Sequence, residues 1–339
     1  MKHTGRLGAA GAALGMLLLI LDSRTALEGA HEGLELCLRT VIPVLFPFFV
    51  LSGLLTGSAG IGQVNWLRPL GRLTGIPHGA ESILLAGFLG GYPIGAKCIA
   101  EARHQDKLSK QDAARMMAFC NNPGPSFIFG IAGSMFSESW AGWALWGIMI
   151  LSSLAVGIIL PGKATSKIRA IHRPQIKPTA AVNSAVSAIA GVCGWVLLFR
   201  VVLAFLNRWI LWILPPEATI AITGLLELTN GCCSLNAVQD PGTRFVICAG
   251  MLAFGGLCVG MQTASVAEGV KLSWYLPGKL LQTALAVTLA LAVRWILSPQ
   301  PGQNLYTVIL PVAMVLAGIF AFSGGKLKNR GGISKRLGV

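Results

Sequence analysis

Charged side chains are scarce in this sequence: Asp, Glu, Lys and Arg make up 12% of 339 residues, and only 13 are acidic. A soluble domain carries about 25% charged residues, so this chain cannot cover a water-facing surface in the usual way. Short alternating apolar–polar segments, the mark of an outer-membrane barrel, are missing as well. No CxxC pair occurs among the eight cysteines, Cys37, Cys98, Cys120, Cys193, Cys232, Cys233, Cys248 and Cys258. Most lie inside apolar runs, which suits small buried side chains better than a disulfide framework or a metal site. The histidines His3, His31, His78, His104 and His172 fall in loops or at the ends of runs, and HExxH, GxSxG and GxxxxGKS are all absent. With no carboxylate pair at one site either, the sequence offers no catalytic residue, metal ligand or cofactor motif and argues against an enzyme.

What is present is apolar. The hydrophobic share is 54% and the mean hydropathy +0.67, gathered in runs of about 20 residues, the length that crosses a hydrocarbon core as a helix. The expected fold is an all-α polytopic membrane protein, multi-pass in a bacterial inner membrane. The spans read as Leu7–Leu21, Val41–Gly57, Met116–Phe136, Trp140–Leu160, Ser187–Leu206, Phe245–Ala267, Leu280–Leu297 and Leu305–Phe322. Leu7–Leu21 follows Lys2 and Arg6 like a signal peptide, but lacks a small-residue cleavage site and reads as a retained helix. The net charge of +14 does not point to nucleic acid, because the Lys and Arg cluster in loops beside apolar runs.

Two further apolar segments are interrupted: Ala80–Ala100 by Gly90-Gly91-Tyr92-Pro93, and Ala218–Val238 by Thr229-Asn230-Gly231. Each could cross once or dip in and return as a re-entrant hairpin. With a cytoplasmic N-terminus and both segments re-entrant, the inside loops hold Arg68, Arg72, Arg103, Lys107, Lys110, Arg115, the Lys163–Lys177 linker, Lys271, Lys279 and the basic tail. The outside holds only Arg24, Arg39, Arg208 and Arg244, while Lys97, Arg200 and Arg294 stay at membrane depth. A full crossing by the first segment would put Arg103–Lys110 outside, so the positive-inside rule favours the hairpins and both termini in the cytoplasm.

A repeat follows, giving about eight transmembrane helices plus two re-entrant hairpins in an inverted arrangement. Residues 1–40 form a first helix and an outside segment. Residues 41–160 form the first repeat, with its hairpin at 80–101. A basic cytoplasmic linker, 161–186, leads to the second repeat, 187–297, with its hairpin at 218–238. Residues 298–339 supply a last helix and tail. Phe119-Cys120-Asn121-Asn122 sits opposite Phe254-Gly255-Gly256-Leu257 in this pairing. Inverted repeats with broken helices place a transporter's site where the breaks meet.

A helix broken inside a bilayer frees backbone N–H and C=O groups, tolerable only where they face protein or a wet cavity. Freed N-termini attract anions and freed C-termini attract cations. The solute-binding candidates are therefore Gly91, Tyr92, Pro93 and Gly95 at the first break, and Asn121, Asn122 and Ser126 around Pro123 and Pro125. Thr229 and Asn230 at the second break, with Gln262 and Thr263 after Gly255-Gly256, complete the set. Polar side chains also bind helices to one another in membranes, so any single one has a structural alternative. Glu227 is the candidate for ion coupling, binding a proton or sodium ion; its alternative is an ion pair with Arg200 or Lys97. Lys97 either contacts an anionic solute or snorkels to the inside surface, and Arg294 snorkels from a span end.

Four motifs in order, Val44-Leu45-Phe46-Pro47-Phe48-Phe49-Val50-Leu51-Ser52, Gly90-Gly91-Tyr92-Pro93-Ile94-Gly95-Ala96-Lys97, Asn122-Pro123-Gly124-Pro125-Ser126-Phe127-Ile128-Phe129-Gly130 and Leu226-Glu227-Leu228-Thr229-Asn230-Gly231, resemble the YlbJ-type sporulation integral membrane proteins. That family carries a nucleoside-recognition gate domain, distantly similar to concentrative nucleoside transporters. The resemblance implies a role in endospore formation at the outer forespore membrane, with dipicolinic acid as cargo. A small planar dianion suits helix N-termini and amide donors. A nucleoside-like substrate, or a non-transporting scaffold or sensor, remains the alternative. The oligomeric state stays open.

Overall fold

Proline or glycine marks the boundary of many of the helices. The computed structural model describes residues 2–59, 64–162, 164–165 and 177–297. The expected span Leu305–Phe322, the basic tail and most of the 161–186 linker lie outside the described residues. Every helix or strand element among the described residues is a helix, and none is a strand.

The chain opens with α1 (Lys2–Leu21), then α2 (Ser23–Leu36), which runs through a wide π turn at Cys37–Val41 into α3 (Ile42–Ala59). Short α4 (Arg68–Thr74) ends on left-handed Gly75, and α5 (Glu81–Leu89) and α6 (Ile94–His104) flank the Gly90–Pro93 break. Next come α7 (Lys110–Met117), capped by Ser109, and α8 (Pro125–Phe127), which continues as helical turns to Met135. α9 (Trp140–Ile159) closes the first half. The second half has α10 (Pro178–Trp209), α11 (Pro216–Leu226), α12 (Leu228–Cys233), α13 (Pro241–Phe254), α14 (Gly256–Val266) and α15 (Tyr275–Leu297). Pro178, Pro216 and Pro241 each start a helix, where a missing N–H costs nothing.

Among the described residues, five helical stretches are long and apolar enough to cross a membrane: Ser23–Leu54, Trp140–Ile159, Pro178–Trp209, Pro241–Val266 and Tyr275–Trp295. The apolar parts Ala9–Leu21, Pro125–Met135 and Pro216–Leu226 are shorter. Met116–Phe136 is not one helix, because Pro123 and Pro125 leave Asn121–Gly124 without helical turns.

The segment at 22–40, expected outside, is instead part of a long helix. Gly29 and Gly33 let α2 lie directly on α10, so that a Cβ at Gly29 would sit 2.8 Å from that of Ala204. Small residues permit such close approach of helix backbones. Glu32 on α2 then pairs with Arg200 on α10.

Several cations expected in loops are inside the fold. Arg115 is buried, donating to the carbonyls of Gly157 (2.5 Å), Gly75 (3.2 Å) and Thr74. Its guanidinium fork ties the end of α4 to α7 and α9. Lys279, counted above with the inside loops, is only 1% exposed and belongs to α15. Pro277 and Gly278 beside it look like a loop in sequence, yet α15 begins before them, at Tyr275. Arg294 does not stand alone at its helix end; it pairs with Asp240 at 2.9 Å.

Candidate functional site

Both interrupted segments turn inside the fold, and each turns where its backbone groups can be satisfied. At the first break Gly91 takes φ +73° and lies directly against Gly124 of the broken stretch between α7 and α8. A Cβ at Gly91 would come within 2.6 Å of the Gly124 nitrogen, so both the conformation and the space demand glycine. Tyr92 reaches across to the second half and donates its hydroxyl proton to the Leu252 carbonyl at 2.9 Å. Gly95 does not face a cavity; it lets α5 and α6 close on the Cys120 carbonyl, as Gly87 does from the other arm. Pro93 precedes α6, which begins at Ile94.

The second break falls just before the residues that its sequence suggests. Thr229, Asn230 and Gly231 lie within α12, and the extended residue is Glu227, at φ −139° and ψ 114°. The reason is the carboxylate itself. It accepts from the N–H of Thr229 (3.0 Å), the N–H of Asn230 (2.7 Å) and the Asn230 side-chain amide (2.7 Å). A helix start needs acceptors for its free N–H groups, and here a buried carboxyl group supplies them. Neither Arg200 nor Lys97 pairs with it: Arg200 holds Glu32, and Lys97 is exposed on α6.

The two breaks share a small cavity of about 30 Å³. Gly90, Gly91 and Tyr92 line it from the first break, Glu227, Leu228 and Thr229 from the second, and Ser126 and Gln262 from the two broken spans. Such a volume admits about one water molecule. Beside it opens a wider cleft of about 750 Å³, walled by Pro93, Lys97, Glu101 and His104 of the first hairpin, Asn183, Ser184 and Ser187 of α10, and Ser265 and Glu268. Val192 and Gln262 line both spaces and so form the partition between them.

Asn121, Asn122 and Thr263 are fully buried and line neither space. Asn121 donates to the Thr263 hydroxyl at 2.8 Å. Asn122 donates to the Phe119 carbonyl (2.7 Å) and the Ser153 hydroxyl (3.1 Å), and accepts from Gln282 (2.8 Å). Lys279 bonds the Asn121 carbonyl at 2.5 Å and Gln282 at 2.9 Å. Lys279, Gln282 and Ser153 were not singled out by sequence. The only signal for Lys279 and Gln282 was their polar character at the start of an apolar run. Among the described residues, no group of three or more His, Cys, Asp and Glu is gathered for a metal ion.

No family model and no solved structure matches the chain. A curated protein does: the chain is 27% identical over 297 residues to the sporulation integral membrane protein YlbJ of Bacillus subtilis (strain 168), covering 73% of this chain and 72% of that one. The family resemblance carried by the four motifs is thereby borne out: over most of its length the chain is similar to a YlbJ sporulation integral membrane protein.

Proposed function

We propose that the chain is a secondary transporter of a small polar or anionic solute, built as an inverted repeat with α5–α6 and α11–α12 as re-entrant hairpins. The observation that carries this reading is that both helix breaks, far apart in sequence, line one cavity that adjoins a wider cleft. The halves also share an element order: a long helix, a short connector, a broken hairpin, a broken span and an unbroken span. Broken helices facing a shared site are the usual construction of alternating-access transporters.

The cleft lies where α6 and α14 end and α10 begins. On the charge reading this is the cytoplasmic face. Its volume suits a small molecule, while the smaller cavity beyond Val192 and Gln262 holds only about one water. Solute therefore loads in the cleft, and the hairpins part to admit it to the breaks. Gly91, Tyr92, Ser126, Thr229 and Gln262 would then meet it, with Pro93 and Lys97 in the cleft itself. Glu227 would carry the coupling proton or cation. The sporulation name of the relative, and the resemblance stated above, make dipicolinate the first cargo to try, at the outer forespore membrane with both termini cytoplasmic.

The test is uptake of labelled dipicolinate and a nucleoside panel by purified protein in liposomes. Dipicolinate uptake above protein-free liposomes, competed by unlabelled dipicolinate, supports the reading. Uptake of nucleosides alone moves the chain to the other substrate class. No uptake of either, by protein shown to be folded, leaves the scaffold or sensor role.

A further inference from the structure

The ammonium of Lys279 sits in the heart of the molecule without a counter-ion. Its residue is 1% exposed, and among the described residues no carboxylate lies within ion-pair distance of it. It meets only electron-rich groups among its polar and aromatic neighbours: the Asn121 carbonyl at 2.5 Å, the Gln282 side-chain oxygen at 2.9 Å, and the face of the Tyr92 ring, 5.8 Å from its centroid. An uncharged amine would also need a donor for its lone pair, and none of these groups is one.

The Asn121 carbonyl is no ordinary acceptor. It belongs to the stretch where the chain leaves α7 and before Pro125 restarts it, so it has no helical N–H partner. The neighbouring Phe119 carbonyl is met by Asn122 (2.7 Å) and Ser153 (2.5 Å). Carbonyls freed at the C-terminal end of a broken membrane helix carry partial negative charge and coordinate small cations. Gln282 is itself oriented by its bond to Asn122, which fixes its oxygen toward Lys279.

We propose that this is a monovalent-cation site whose occupant is covalently attached: Lys279 fills, with its own ammonium, the position where a free ion such as sodium would otherwise complete the broken first span. Tyr92 lines the shared cavity on one side and covers Lys279 on the other. The fixed charge thereby pins the first hairpin's tip against the broken span. The site stands on its own geometry; only its consequence, that no free ion is required at this break during solute movement, rests on the transport reading.

Shortening the side chain should turn the tethered cation into a vacancy that a free one can enter. Purified wild type, Lys279→Ala and Lys279→Met are compared by thermal unfolding in sodium chloride and in choline chloride at equal ionic strength. The wild type sets the baseline salt response. Lys279→Ala is expected to unfold several degrees lower in choline and to recover in sodium, or to be recoverable only when purified in sodium. Lys279→Met removes the charge but keeps the space filled, so it should be lowered equally in both salts. The proposal is overturned if the alanine variant responds to sodium no more than wild type does, if it cannot be recovered in either salt, or if the methionine variant shows the same rescue. Sodium rescue in a protein that moves no solute would leave this site standing and remove the transport reading. Solute uptake by wild type without sodium rescue of the variant would do the reverse.

Discussion

The Tyr92 hydroxyl donates to the carbonyl of Leu252 at 2.9 Å, joining the first helix break to the last turn of α13 across 160 residues of sequence. The Leu252 carbonyl needs this partner, because α13 stops at Phe254 and Gly255 turns left-handed. Tyr92→Phe keeps the ring over Lys279 and in the cavity wall but deletes the donor. A buried carbonyl left without a partner costs about 1–3 kcal/mol. The variant should express and unfold at a lower temperature, measured by a thermal-shift assay, and an unchanged midpoint would show that the bond contributes nothing.

The hairpins close through glycine, and the same substitution should therefore have opposite effects at different glycines. A Cβ at Gly95 would overlap the Cys120 carbonyl oxygen, and one at Gly231 would overlap the Gly224 backbone. Neither obstacle is a side chain that can swing away. Gly95→Ala and Gly231→Ala should each lower stability by about 1–3 kcal/mol or more, the usual cost of overpacking. Gly194, in the middle of α10, has nothing within 4 Å of its would-be Cβ. Gly194→Ala should be neutral or gain up to about 1 kcal/mol from helix propensity. Detergent-purified yield and unfolding temperature compare the three.

Where the chain signals its own breaks, the sequence could be read. Gly90-Gly91-Tyr92-Pro93 and the pair Pro123 and Pro125 cannot continue a helix, and the structure interrupts it at both. Glu227 gave no such signal, since glutamate is a good helix former; only its capping of Thr229 and Asn230 reveals it as the extended residue. The stretch after the first helix reads as an outside segment, but Gly29 and Gly33 bring it onto α10. Lys279 next to Pro277 and Gly278 resembled a flank, because its acceptors come from residues about 160 positions away and from its own next turn. Partnerships of that range leave no trace in local pattern.

The topology can be tested on residues that the structure exposes. Gln105 lies in the turn after α6 and Glu138 in the turn before α9, both exposed to solvent. The positive-inside distribution assigns the first to the cytoplasm and the second to the opposite side. Gln105→Cys should react with an impermeant thiol reagent only after the membrane is opened, and Glu138→Cys in intact cells. Labelling of Gln105→Cys from outside would invert or remove the hairpin at 81–104.

Glu227 carries both a structural and a proposed functional role, and the two can be separated by chemistry. Its two oxygens accept three N–H bonds, and it lines the cavity at the breaks. Glu227→Gln preserves length and shape, but its amide offers one acceptor oxygen and turns an NH₂ toward donors. At least one of the three bonds is lost, so stability should fall by about 1–3 kcal/mol. The variant should still insert and fold, because removing the charge also removes the expense of burying it. If the carboxylate binds the coupling ion, solute accumulation against a gradient should disappear in Glu227→Gln while binding of the solute persists. Measured together, the unfolding midpoint, solute binding and gradient-driven uptake give a clear division. A variant that is folded and accumulates solute with the wild-type ion dependence would reduce Glu227 to the cap of α12 and nothing more.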